Sequence, residues 1–121
     1  MSVQVRRQGS TAIIEVQGKL SLGAPVDEFR AKWSDALATG AKNICVKLNE
    51  VPMVDSSGIG SLIRCHSAVS GNGGKMSLAG ANDVVRQAFK VTRLDRVFTF
   101  TTTEDEALAM MEESAAGVGE G

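Results

Sequence analysis

Apolar Val3 and Val5 alternate with polar neighbours, the pattern breaks at Gln8-Gly9-Ser10, and a β-branched apolar run follows from Thr11 to Val16. Two such runs around a Gly-centred turn predict a hairpin over residues 2 to 17, closed by Gly18. From Ala24 the period changes. Val26, Phe29, Trp33 and Leu37 fall three or four apart, the spacing of one helical face, with Pro25 suited to the first turn and Gly40 to the end. Trp33 lies on that stripe and reads as core. Asn43 to Leu48 alternates as a strand, Ile44, Val46 and Leu48 on one face and Cys45 and Lys47 on the other. Helical spacing returns with Ile59, Leu62, Ile63, His66 and Val69, and Ser70-Gly71-Asn72-Gly73-Gly74 ends it. Met76 to Ala79 predicts a short strand and Asn82 to Val91 a short helix with Val84, Val85, Ala88 and Phe89 inward. Val97 to Phe100 predicts a last strand. Thr103-Glu104-Asp105-Glu106 opens a final helix with Ala107, Leu108 and Met111 inward.

The predicted order is β-β-α-β-α-β-α-β-α. Strands alternating with helices imply crossovers, hence an α/β fold: a single-domain mixed, mostly parallel sheet with an N-terminal antiparallel edge strand and about four helices. Residues 1–114 form the expected domain and 115–121, rich in Gly and Ala, a flexible C-terminal tail. A length of 121 residues suits one domain with an ordinary core.

Charge and composition narrow the function. The formal net charge is −1 and the 13 basic residues are scattered, not clustered as a nucleic-acid binder requires. No apolar run approaches the roughly 20 residues of a membrane span. The first residues lack the apolar core of a signal peptide, so the chain reads as cytoplasmic. Cys45 and Cys65 sit in apolar-patterned segments without a Cys-x-x-Cys pair and read as reduced packing residues. His66, the single histidine, has no second ligand at a recognised spacing, so neither a metal site nor a cofactor is expected.

The candidate chemistry lies at Asp55-Ser56-Ser57-Gly58-Ile59-Gly60, after the β-favouring stretch Ile44 to Val54 and at the head of a helix. The first amides of a helix have no internal partners and, with the helix dipole, favour an anion there. Ser56 is therefore a candidate for reversible phosphorylation, which adds roughly −1.5 to −2 charges at neutral pH. The alternative is that Asp55 or Ser56 simply caps the helix; the two roles are compatible. A phosphate on Ser56 is expected to be welcome at its own helix N-terminus. Gly58 and Gly60 either give a kinase close backbone access to Ser56 or let helix and strand pack closely.

These residues carry a resemblance over nearly the whole chain. Gly18-Lys19-Leu20, Val54 to Leu62, Gly73-Gly74-Lys75-Met76 and Leu94-Asp95-Arg96-Val97-Phe98 resemble the STAS domains of the bacterial anti-sigma-factor antagonists. The resemblance implies a non-enzymatic partner switch. The unmodified protein binds a serine-kinase anti-sigma factor, phosphorylation at the first serine of the motif releases it, and a phosphatase resets the cycle. Carried over by position, Ser56 is the phosphoacceptor and Ser21, Asp55, Ser56, Ser57, Gly58, Ile59 and Gly60 are partner-binding residues; a monomer or weak dimer is expected, the sequence leaving the oligomeric state open. Where many relatives carry an acidic residue after the second strand, this chain has Ser21, either a second contact or a polar residue at the start of the helix.

The residues argue against two other readings and leave a third open. A serine hydrolase using Ser56 or Ser57 needs a base, and His66 lies ten residues on, about 15 Å along the helix. The Gly-x-Ser-x-Gly elbow is absent too, with Val54 in place of its first glycine. A nucleotide-binding module lacks a Gly-rich phosphate loop with lysine. A STAS scaffold or sensor-complex subunit whose serine is never modified keeps the fold without the switch.

Overall fold

The computed structural model describes residues 2–111. The strands are β1 (Ser2–Gln8), β2 (Thr11–Gln17), β3 (Asn43–Glu50), β4 (Met76–Ala79) and β5 (Thr99–Thr101). The helices are α1 (Ala24–Ala38), α2 (Ser56–Gly71) and α3 (Asp83–Val91), with a 3-10 turn at Leu94–Arg96 and a last helix, α4, running through 104–111. The sheet order is β1-β2-β3-β4-β5. Among the described residues only the β1–β2 hairpin is antiparallel; β2–β3, β3–β4 and β4–β5 are parallel. The expected mixed sheet with an antiparallel edge strand is therefore the observed one.

Period-two alternation divides the sheet between two cores. Ala12, Ile14, Val16, Ile44, Val46, Leu48, Met76 and Leu78 face the larger core, under Phe29 and Trp33 of α1, Leu62, Cys65 and Val69 of α2, and Val85 and Phe89 of α3. The alternate positions Ile13, Cys45 and Ala79 face the other way, against Ala107, Leu108 and Met111 of α4. Thr103 caps α4 through its hydroxyl, which accepts from the Glu106 amide (3.1 Å). Both cysteines are buried and free, and burial pushes their thiols up, to about 11 for Cys45 and about 12 for Cys65.

Two local expectations are corrected. Val84 is 61% exposed, whereas Val85 is buried; adjacent helical residues point about 100° apart, and it is Val85, four residues before the buried Phe89, that faces the sheet. The last strand begins at Thr99, not Val97. The chain first makes the 3-10 turn, which draws Phe98 into edge-on contact with Phe89 (5.2 Å) and His66 (5.3 Å) and leaves Val97 outside. The expected tail, residues 115–121, lies outside the described residues.

Candidate functional site

At the C-terminal ends of the parallel strands, the loop after β2 runs alongside the loop after β3. Gly18 donates to the Glu50 carbonyl (2.9 Å), Leu20 to that of Met53 (3.3 Å), and Asp55 back to that of Leu20 (3.3 Å). Leu20 and Val54 form an isolated parallel bridge. From the N-cap of α3, the Asn82 side-chain amide reaches the carbonyls of Val51 (3.2 Å) and Pro52 (3.3 Å). This tied set of loops holds the head of α2.

The cap of α2 is Asp55. Its Oδ1 accepts from the Gly58 amide (2.7 Å) and its Oδ2 from the Leu22 amide (3.0 Å), so one carboxylate bridges the helix and the β2–α1 loop. Those two amides, Leu22 first, hold the carboxyl below the usual carboxylate range. Ser56 is the first residue inside the helix and is exposed, and its hydroxyl makes no hydrogen bond among the described residues. Of the two serine roles the sequence left open, capping belongs to Asp55. The carboxylate takes the Gly58 amide, one of the first amides of α2.

The two glycines differ. A Cβ on Gly58 would lie 2.1 Å from the Leu20 carbonyl oxygen, whereas one on Gly60 would meet nothing within 4 Å. Close packing explains Gly58 and leaves Gly60 unexplained. Ile59 is turned into the core and Gly58 is buried; Asp55, Ser57 and Gly60 are half-buried. Ser21 is half-buried, and its carbonyl accepts from Val26 (3.3 Å) at the start of α1.

Sequence patterning missed two residues beside the motif. Leu22 is 76% exposed and Met53 41% exposed. Their signal was a large apolar side chain outside every helical or strand period, each in a short loop next to Gly or Pro. His66, by contrast, stacks edge-on against Phe98 and makes no hydrogen bond among the described residues.

Comparison with known proteins agrees with this geometry. Residues 2–107 match the model of the STAS domain. A Thermotoga neapolitana protein, named as a candidate anti-sigma factor antagonist, is 32% identical over 79 residues, covering 64% of this chain and 70% of the relative. The anti-sigma factor antagonist SpoIIAA in its unphosphorylated form superposes with a TM-score of 0.81 at 26% identity, over 93% of this chain and 97% of that one. Phosphorylated SpoIIAA, a Bacillus cell fate determinant, superposes with a TM-score of 0.72 at 25% identity, over 90% and 98%.

Proposed function

The chain belongs to the STAS domain family, and we propose that it is an anti-sigma-factor antagonist that acts by binding and not by catalysis. Unphosphorylated, it holds a serine-kinase anti-sigma factor through the surface around Ser56. Phosphorylation of Ser56 by that kinase releases the complex, and a phosphatase restores the binding form.

One observation carries this reading: Asp55 does the capping, which leaves the Ser56 hydroxyl exposed and uncommitted at the head of α2. Modification there needs no native contact to break. The added phosphate sits next in the chain to the Asp55 carboxylate, which already holds the Gly58 amide. Leu22 and Met53 flank it with exposed apolar surface. A partner that covers those side chains meets roughly two new negative charges at the edge of its apolar contact, where desolvation and repulsion both oppose binding. A cost of about 3 kcal/mol weakens the complex about a hundredfold, enough to switch partners. Contacts are assigned to Ser56, Ser57, Gly60, Ser21 and Asp55 with Leu22 and Met53; the buried Gly58 and Ile59 act by shaping the turn.

Phosphosite mapping after incubation of the chain with source-cell lysate and ATP tests the assignment. Phosphate on Ser56, absent from Ser56→Ala, is the expected result. Phosphate on Ser57 alone overturns it.

A further inference from the structure

β1 is an edge strand, and its outer edge is unusual in being self-complementary. Strand amides alternate sides. Val3 donates outward to Glu28 Oε1 of α1 (3.2 Å) and not to β2, so Val5 and Arg7, two and four residues on, also present their backbone groups outward. Beside this edge runs an open groove lined by Val5, Arg7, Lys32, Asp35, Ala36 and Thr39. Val5 is 37% exposed within it. Along the groove α1 is parallel to β1: Glu28 sits at Val3, and Arg7 bonds the Thr39 carbonyl (3.1 Å) at the other end. Lys32 and Asp35, midway between, are exposed and form no ion pair among the described residues.

We propose that this edge is a homodimer interface, in which two copies pair their β1 strands antiparallel about a two-fold axis that passes between the two Val5 residues. The register sets Val5 against Val5 of the second copy and Val3 against Arg7, so every outward amide and carbonyl from Val3 to Arg7 gains a partner. Val3 then exchanges Glu28 for the Arg7 carbonyl of the mate, and the freed Glu28 carboxylate lies beside that same arginine. The helices obey the same axis. The midpoint of α1 between Glu28 and Thr39 falls between Lys32 and Asp35, level with Val5. Because α1 packs over β1 and β2, the two α1 helices stand two strand spacings apart, about 10 Å, which is helix-packing distance. Antiparallel pairing therefore sets Lys32 of each copy against Asp35 of the other, twice. A single unmatched charge would argue for a different partner; this edge supplies each charge with its complement, which is what an isologous contact demands. Ser56, two strands away at the end of β3, stays open in both copies, so the dimer offers two switch sites.

Sedimentation equilibrium of the intact chain tests the proposal, with four variants and far-UV circular dichroism as a fold control. Val5→Pro removes only an outward amide, as an edge strand tolerates, and is expected to give a folded monomer. Lys32→Asp and Asp35→Lys each place two like-charge pairs across the axis and are expected to weaken dimerisation at least tenfold. The double variant Lys32→Asp/Asp35→Lys restores the pairs and is expected to recover the dimer, which keeps the test decisive even if Val5→Pro fails to fold. A chain still monomeric at about 1 mM, a concentration at which only the weakest contacts stay apart, overturns the proposal. So does a dimer indifferent to the charge series.

Discussion

Replacing Gly58 by alanine tests the packing that fixes the head of α2. The new Cβ would lie 2.1 Å from the Leu20 carbonyl oxygen and 3.0 Å from its carbon, both backbone atoms that cannot rotate away. Relief requires the loop after β2 to retreat, stretching the bond from the Asp55 amide to the Leu20 carbonyl (3.3 Å) and the one from Leu22 to the Asp55 carboxylate (3.0 Å). Overpacking costs about 1–3 kcal/mol, and alanine returns up to about 1 kcal/mol over glycine within a helix. Because both atoms belong to the backbone the cost sits at the upper end of its range, about 3 kcal/mol, and a net loss of about 2 kcal/mol follows for Gly58→Ala. Gly60→Ala meets nothing within 4 Å and is helical, so it keeps the propensity gain of about 0.5–1 kcal/mol. Two glycines two residues apart are thus expected to give effects of opposite sign. Urea unfolding followed by the fluorescence of Trp33, the only tryptophan, measures both. In thermal unfolding the Gly58 loss amounts to roughly 8 °C, at about 4 °C per kcal/mol. Equal stability of the two variants would refute the close approach of Leu20 and α2.

Asp55→Asn is expected to flatten the acid limb of the stability curve. The Asp55 carboxyl is held low by the Leu22 and Gly58 amides, so the folded state binds fewer protons than the unfolded one. Its contribution is complete above the unfolded value of about 4 and fades as pH falls through the lower folded value. Glu104 is lowered by Arg6 and Lys47 in the same window, so a curve unchanged in Asp55→Asn but flattened in Glu104→Gln would assign the acid limb to α4 instead. Trp33→Phe removes an indole N–H that is buried without a partner among the described residues; the relief of about 1–3 kcal/mol offsets much of the lost ring contact. Chemical denaturation read by circular dichroism should place it within about 1 kcal/mol of the parent, whereas a loss beyond about 3 kcal/mol, the range of large core truncations, would mean that the N–H is satisfied.

Much of the fold was legible because period-two and period-3.6 patterning is strong in β2, α1, β3 and α2, where one face is buried. Legibility failed where the pattern is degenerate or the cause is distant. Val84 and Val85 are equally apolar, and only the placement of α3 on the sheet selects between them. Val97 to Phe100 is β-prone throughout, and aromatic packing around Phe98 decides where the strand starts. At the site, the sequence located the motif but left cap and phosphoacceptor open, since Asp55 and Ser56 both suit a helix start. The carboxylate's second bond, to Leu22, separates them, and it joins residues 33 apart in the chain. Gly58 and Gly60 likewise look alike until Leu20 arrives from the preceding crossover.

The most direct test of the switch is a side-by-side pull-down from source-cell lysate with Ser56→Ala and Ser56→Asp, read by mass spectrometry. Because the Ser56 side chain makes no native hydrogen bond among the described residues, both baits should fold with stability within about 0.5 kcal/mol of the parent. The account predicts an ATP-binding serine-kinase anti-sigma factor retained by the alanine bait and lost from the aspartate bait. Identical catches from two equally folded baits would contradict it and leave a constitutive scaffold, with Ser56 a surface residue.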